Sequence, residues 1–237
     1  MTPPASDEAA PATPNFARLR WLVRLNRHPS AILLLVQLTG LMIYPLLEQT
    51  PGGTAMLRGF GVIVLGLAVW MVQRSAGRAW ISAGIAAPVL LIDLAESVLD
   101  LPALRVWSAA LEALFYFYAA GCLIRYMLAD RRATSDELFA AGATFTLLAW
   151  AFTYLFVLCQ LLQPDAFGGA VNPGAPRSWT ELLFMSFVLL SSTGIGDVIP
   201  LSGFARALAS LEIFTGVMYL ALVVSRLIGL TILRRGQ

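Results

Sequence analysis

Long apolar runs, separated by short polar segments, recur along the chain from about residue 31 onwards. Most runs are close to the ~20 residues with which an α-helix crosses the hydrocarbon core of a bilayer. The pattern predicts six spanning helices, at Ala31 to Leu47, Leu57 to Gln73, Trp80 to Leu99, Leu104 to Leu128, Leu138 to Leu162 and Phe204 to Leu233. A shorter apolar segment from Trp179 to Leu190 begins like a helix between the last two spans. The expected fold class is an all-α membrane protein with a re-entrant segment between the fifth and sixth spans.

The overall composition agrees with this pattern and excludes several classes of function. Of 237 residues, 58% are hydrophobic and 13% are charged, which is typical of a membrane protein. The net charge of +2 is too small to indicate a nucleic-acid partner. The chain shows no Ser/His/Asp set, no metal-ligand cluster and no phosphate-binding glycine loop followed by Lys. We therefore expect no enzyme, no bound cofactor and no soluble substrate.

The arginines indicate how the predicted spans are oriented. With the N-terminus inside, Arg58, Arg105, Arg177 and Arg206 fall outside, and the other twelve of the sixteen basic residues fall on or near the inner side. Such an excess of positive charge is typical of the cytoplasmic side. We therefore expect both termini in the cytoplasm. The Arg-only, Ala-rich composition suggests a bacterial inner membrane.

The segment from Ser191 to Asp197 differs from the rest of the chain because two glycines alternate with residues that carry side chains. Gly194 and Gly196 can adopt dihedral angles that a Cβ disfavours, so successive carbonyls can turn to one side. Non-helical backbone at membrane depth is tolerated only where protein buries it or where it lines a water-filled cavity. The segment therefore predicts a pore lining. The alternative, a tight turn between two helices, would leave backbone groups unsatisfied.

The helix before this segment has a start signal. Ser178 is predicted to cap a helix that begins at Trp179, with Glu181 completing a capping box. The Gly- and Pro-rich residues from Pro164 to Pro176 are typical of an outer loop. The negative end of the helix dipole, near Leu190, would then point toward the pore cavity.

The run from Ser192 to Asp197 resembles the Thr-Val-Gly-Tyr-Gly-Asp signature of potassium channels, and further residues extend the likeness. Positions where that family often carries Pro, Thr, Arg and a hinge glycine are occupied here by Pro200, Ser202, Arg206 and Gly216. The likeness covers Leu138 to Leu233, and the first 130 residues share only the layout. As a joint pattern it is specific, although Gly-Ile-Gly-Asp alone would be weak.

The resemblance implies a selectivity filter in which K⁺ is held by backbone carbonyls of Ser192, Thr193, Gly194 and Ile195, with Gly196 completing the strand. It also implies that Asp197 lies at the outer mouth, that Ser191 supports the filter, and that Gly216 acts at the gate. Gly216 can serve either as a hinge or as a site of close helix packing. Since each chain carries one filter, a ring of four copies in a lipid bilayer is implied, with permeant K⁺ as the only ligand.

Four residues depart from the family pattern. Ser192 replaces Thr, Thr193 replaces Val, Ile195 replaces the aromatic residue, and Val188 stands where some members have a buried Glu. Ile195 cannot tether the filter through a ring hydroxyl. A weakly selective monovalent cation channel is therefore the alternative to a potassium channel.

The first four spans have the layout of a voltage sensor without its charges. A voltage sensor needs several Arg at every third position of its fourth helix, whereas Leu104 to Leu128 carries only Arg105 and Arg125, one at each end. We therefore divide the chain into a cytoplasmic disordered or amphipathic segment (1–28), a four-helix sensor-like domain without sensor arginines (29–132) and a pore domain (133–237).

Acidic residues within the predicted spans leave a carrier open as another class of function. Asp93, Glu96 and Asp100 share one face of the third helix, and Glu112 lies in the fourth. They could bind a proton or cation in a coupled carrier, or pair with Arg105. Carriers usually have paired repeats with broken helices, and neither is visible. A non-conducting regulatory subunit with an altered filter is a third alternative.

Overall fold

The computed structural model describes residues 29–48, 50, 53–74, 84–92, 95, 102–129 and 135–235. The predicted amphipathic segment at residues 1–28 lies outside this part of the chain. Asp93, Glu96 and Asp100 lie outside it as well, so the contacts expected of them are not described.

The described residues are mostly helical. The elements, in chain order, are α1 (Pro29–Glu48), α2 (Gly53–Arg74), α3 (Pro102–Ala129), α4 (Ser135–Leu162), β1 (Phe167–Gly169), α5 (Trp179–Leu190), β2 (Val198–Pro200) and α6 (Gly203–Arg235). Residues 84–92, within the predicted third span, are helical too. Five of the six predicted spans are therefore present as helices whose ends differ from the predicted ones by a few residues, and the ends of the third lie outside the described residues.

Within the described ranges, four helices are long and apolar enough to cross a membrane. They are Pro29–Leu47, Ala103–Leu128, Asp136–Leu162 and Gly203–Arg226. The described apolar stretch of α2, Phe60–Met71, is shorter than a span. The fold is that of an all-α, multi-pass membrane protein, and the count of six spans stays a prediction.

The core lies where α3 packs against α4. Small residues allow these helices to approach closely, because Ala113, Ala119, Ala143 and Ala149 are all buried. Tyr116 and Trp150 fill the remaining space, and their ring centroids are 5.6 Å apart in an edge-to-face arrangement. α1 packs on the other side of α4 and places Tyr44 in a stacked contact with Trp179 at the start of α5.

Two short strands join the segments before and after α5. β1 and β2 pair antiparallel, with Phe167 opposite Pro200 and Gly169 opposite Val198. Ala170 N extends the pairing by donating to Asp197 O at 3.0 Å. The outer loop predicted from glycine and proline content therefore contains a strand, which ties the chain after Asp197 to the chain before α5.

Candidate functional site

The start of α5 is closed by the predicted capping box. Ser178 Oγ accepts from Glu181 N at 3.2 Å, and Glu181 Oε2 accepts from Ser178 N at 2.7 Å. Each side chain thus satisfies a backbone N–H that the helix leaves without a carbonyl. The predicted capping box and both helix ends, Trp179 and Leu190, are confirmed.

Arg177, the residue before the cap, links the start of α5 to neighbouring segments of the chain. Its guanidinium is buried, lies 3.1 Å from Glu181 Oε1 and donates to Val171 O at 2.9 Å. Its backbone is held from α4, because Gln160 Oε1 accepts from Arg177 N at 2.8 Å and Gln160 Nε2 donates to Arg177 O at 2.9 Å. The start of α5 is therefore fixed both to the outer loop and to α4.

The other end of α5 leads directly into the predicted filter. Ser192 N donates to Leu189 O at 3.0 Å, and Thr193 N donates to Val188 O at 2.9 Å. The hydroxyls of Ser191 and Thr193 lie 2.6 Å apart and share a hydrogen bond. The first residues after the helix are therefore held by its last turn.

Beyond that point the sign of the backbone dihedral φ alternates from residue to residue. Ser192, Gly194 and Gly196 have φ values of +57°, +69° and +77°, while Thr193 and Ile195 between them are not in the positive-φ region. A Cβ at Gly194 or Gly196 would meet no atom within 4 Å, so space does not require glycine at either position. The positive φ favours glycine at both positions, because the left-handed region is unfavourable for residues with a Cβ.

The segment is open on its outer side. All residues from Ser191 to Asp197 are exposed in the single chain, and Ile195 is 61% exposed. Among the hydrogen bonds of the described residues, none is accepted by a carbonyl from Ser192 to Ile195. Within the single chain, Gly194 and Gly196 are therefore not packed against a helix.

Gly216 lies where α6 passes the end of α5. A Cβ at this position would lie 2.0 Å from Leu190 O, closer than atoms can approach. Of the two interpretations of this glycine, close packing describes its place in the structure, since α6 runs as one helix from Gly203 to Arg235. Its role as a hinge at the gate stays a prediction.

Comparison with known proteins gives one result for this region. Residues 142–232 match a family model described as "Ion channel". The match begins in α4, includes α5 and the segment from Ser191 to Asp197, and ends in α6. It supports an ion channel with a potassium-channel-like pore domain in this part of the chain, and it favours a function other than catalysis. Neither the curated proteins nor the solved structures returned a match.

Several polar contacts between helices were not predicted from the sequence. Arg226 Nη2 on α6 lies 3.4 Å from Glu137 Oε1 at the start of α4. Glu112, considered for a carrier site, lies close to the Tyr154 side chain on α4. The sequence shows that such charges lie within apolar helices, but not which residue on another helix they meet.

Ser186 and Glu212 form a third contact that the sequence did not reveal. The two side chains hydrogen-bond to each other between α5 and α6, and both are fully buried. A Glu within an apolar helix is a signal of special chemistry. The partner could not be identified, because it lies 26 residues away on another helix.

Proposed function

We propose that this chain is one subunit of a tetrameric channel that conducts K⁺ passively across a membrane. Backbone carbonyls of Ser192, Thr193, Gly194 and Ile195 would replace the hydration shell of the ion, with Gly196 completing the filter. Ions then move down their gradient without covalent chemistry. Asp197 would lie at the outer mouth, and Ser191 would support the filter through its hydrogen bond with Thr193.

The single observation that carries this proposal is the backbone from Ser192 to Gly196. Alternation of positive and negative φ allows successive carbonyls to turn to the same side of the segment. Carbonyls of a segment at membrane depth need partners. Those from Ser192 to Ile195 accept no hydrogen bond from the described residues and are exposed. A dehydrated cation on a shared axis would supply the missing partner.

The surface of α6 supports assembly with three further copies. Only 22% of its most apolar stretch is buried in the single chain. Large apolar side chains are exposed along it: Leu211, Phe214, Val217, Met218 and Val224. Neighbouring subunits would cover part of this surface and lipid or the pore cavity the rest. Since each chain has one filter segment, closing a ring of carbonyls requires other copies.

The proposed topology completes this assignment. Six spans with both termini in the cytoplasm of a bacterial inner membrane would place the outer loop and Asp197 on the external side. Residues 29–132 would form a sensor-like domain without sensor arginines, and residues 133–237 would form the pore domain. α5 would then enter and leave the membrane from the outer side.

A weakly selective monovalent cation channel is the second candidate, and Ile195 is the observation that favours it. Its side chain is aliphatic and 61% exposed, so it cannot fix the filter by a hydrogen bond. A filter that flexes discriminates less sharply between ions of different radius. The carrier alternative depends on Asp93 and Glu96, which lie outside the described residues.

Reconstitution into liposomes and planar bilayers tests the proposal. We expect an electrogenic, barium-blockable flux that needs no second substrate, with a reversal potential that follows the K⁺ gradient. A reversal potential that treats Na⁺ and K⁺ alike would favour the second candidate. Flux that requires a co-transported ion would contradict both.

Matched aspartate variants separate the filter from the rest of the pore domain. We expect Gly194→Asp and Gly196→Asp to abolish the current while the protein remains inserted and tetrameric. Gly174→Asp is the control, because Gly174 is exposed in the outer loop and a Cβ there meets no atom within 4 Å. That variant should still conduct. Current that persists in both filter variants would contradict the proposed path.

A further inference from the structure

Glu212 is an acidic residue buried in the apolar helix α6. Its side chain is 0% exposed, and in the part of the chain that the structure describes no ion pair involves it. Its Oε2 atom accepts no hydrogen bond from any described residue. An ionised carboxylate is costly to bury without a cation, so its surroundings favour the neutral form.

The hydrogen bonds around Ser186 indicate where the proton lies. Ser186 Oγ is 2.8 Å from Ala149 O on α4 and hydrogen-bonds with Glu212 Oε1 on α6. A hydroxyl carries one hydrogen and a carbonyl can only accept. If Ser186 donates to Ala149 O, which also accepts from Thr153 Oγ1, then the carboxyl of Glu212 must be the donor to Ser186. The opposite assignment leaves two oxygen lone pairs facing each other at 2.8 Å.

The same face of α6 contacts α5 a second time, one helical turn further along. Ser186 and Leu190 are four residues apart on α5, and Glu212 and Gly216 are four residues apart on α6. A Cβ at Gly216 would lie 2.0 Å from Leu190 O. A specific hydrogen bond and a close backbone approach together fix the register of α5 along α6, because neither tolerates a shift by one residue.

That register extends to the filter. Leu190 is the last residue of α5, and Thr193 N donates to Val188 O in the final turn. Any rotation or slide of α5 would therefore carry Ser192 and Thr193 with it. These are the first two residues of the proposed ion path, whose carbonyls must be placed accurately to replace water around a cation.

We propose that Glu212, in its protonated form, is a positioning residue for ion selectivity: it donates to Ser186, which donates to Ala149 O, and this chain of hydrogen bonds sets α5 and the filter that follows. This inference rests on the proposed function, because ion selectivity is the property that Glu212 would affect. The carboxyl does not contact the permeant ion. It acts by fixing the position of α5.

Two variants of Glu212 separate the donated hydrogen bond from the volume of the side chain. Glu212→Gln keeps both a donor and the size, whereas Glu212→Leu keeps the approximate size without a donor. We expect Gln to retain the K⁺ to Na⁺ permeability ratio and Leu to lower it about five- to tenfold, the change expected from loss of about one hydrogen bond. A role in stability alone would reduce the amount of protein but leave the ratio of each conducting channel unchanged.

Variants of its neighbours complete the design. Ser186→Ala should lower the ratio as Glu212→Leu does, and the double variant should lower it little further, because both break the same chain of hydrogen bonds. Thr153→Val is the matched control, since it removes another hydroxyl that donates to Ala149 O but lies within α4. It should leave the ratio unchanged.

Two further readouts do not depend on conduction. The infrared difference spectrum between wild type and Glu212→Gln should lose the C=O band of a carboxylic acid. The amide chemical shifts of Thr193 and Gly194 should change in Glu212→Leu and stay near wild type in Glu212→Gln. If the wild type carries no current but the variants show both spectroscopic effects, the proposed function and the role in selectivity would be overturned, whereas the placement of α5 by Glu212 would be supported.

If the wild type conducts, and Glu212→Leu has the same permeability ratio and the same amide chemical shifts as the wild type, the positioning role alone would be overturned. Absence of the carboxylic-acid band, with Gln as harmful as Leu, would also overturn it, because the carboxylate would then act in its ionised form.

Discussion

α4 and α6 both flank α5 and are both long and apolar, yet they contact very different surroundings. Within the single chain, 61% of the most apolar stretch of α4 is buried, against 22% for α6. Trp150 on α4 is 1% exposed, whereas Phe214 on α6 is 64% exposed. High apolar content therefore does not distinguish a helix that packs inside its own subunit from a helix whose surface is left for contact with lipid or other subunits.

The residues by which α6 contacts its own subunit explain this difference. Its buried positions form a narrow stripe that repeats every three or four residues: Ala205, Ala209, Glu212, Gly216 and Tyr219. Three of these are small and two carry polar groups, while the large apolar residues of α6 lie mainly at exposed positions, which also include Arg206, Ser210 and Ser225. In a membrane, small and polar residues therefore mark the protein-facing side of a helix, because lipid is as apolar as leucine.

Matched truncation of one aromatic residue on each helix should produce the largest difference between them. We expect Trp150→Ala to destabilise the subunit by about 3–5 kcal/mol, because it leaves a cavity where α3, α4 and α5 meet. Phe214→Ala should leave subunit stability nearly unchanged and lower the fraction of tetramer. Thermal unfolding in detergent measures the first effect, and native mass spectrometry measures the second.

The comparison fails if the two variants behave alike. Equal loss of subunit stability would mean that Phe214 packs inside its own chain. A second outcome would also contradict the comparison: Phe214→Ala leaves the fraction of tetramer unchanged, whereas Trp150→Ala lowers it without a loss of subunit stability. In that case α4 rather than α6 would form the interface.

Adding one methyl group to the buried stripe should have the next largest effect. Gly216→Ala forces its Cβ against Leu190 O, and we expect a loss of about 1–3 kcal/mol from overpacking. Gly66→Ala is the control, since Gly66 is exposed within α2 and a Cβ there meets no atom within 4 Å. It should be neutral or stabilise by up to about 1 kcal/mol. Equal melting temperatures for the two variants would show that α6 can move away from α5.

Elements that depend on local sequence could be predicted, as α5 shows. Its cap residue, its third residue and its apolar length are all visible between Ser178 and Leu190, and the structure confirms both ends. The positive φ values of Gly194 and Gly196 could likewise be predicted, because the alternation of glycine with side-chain residues is itself a sequence pattern.

Contacts between distant helices could not be predicted. The bond between Ser186 and Glu212 and the approach of Gly216 to Leu190 depend on how α5 lies across α6, which no local pattern specifies. The pairing of β1 with β2 was missed for a different reason. Each strand has only three residues, and β1 includes two glycines, so neither shows the alternation typical of a strand.

The capping box at the start of α5 should contribute less to the free energy of unfolding than the buried stripe of α6 does. We expect Ser178→Ala to cost about 1 kcal/mol, because Glu181 N loses its acceptor. Ser210→Ala is the control, since its hydroxyl is exposed and bonds only within α6, to Arg206 O at 2.9 Å. Thermal unfolding of both variants measures the difference. A larger loss in Ser210→Ala would show that the outer end of α6, rather than the cap, limits the stability of this region.

The smallest expected effect lies where the C-terminal part of α6 meets the start of α4. Arg226 Nη2 is 3.4 Å from Glu137 Oε1, and both side chains are mostly buried in the single chain, at 17% and 6% exposed. A double-mutant cycle with Arg226→Gln and Glu137→Gln isolates their interaction from the other contacts of each residue. We expect a coupling energy of up to about 1 kcal/mol, as for a partly solvated ion pair.

If α6 moves relative to α4 when the channel opens, this coupling should appear as a change of up to about fivefold in the ratio of open to closed channels. Either single variant should then raise the open probability, and the double variant should raise it little further. The K⁺ to Na⁺ permeability ratio should stay constant in all three variants, because the pair lies far along α6 from Glu212 and the filter. A shift in that ratio would mean that this contact between α4 and α6 reaches the filter, so that the two contact regions of α6 do not act separately.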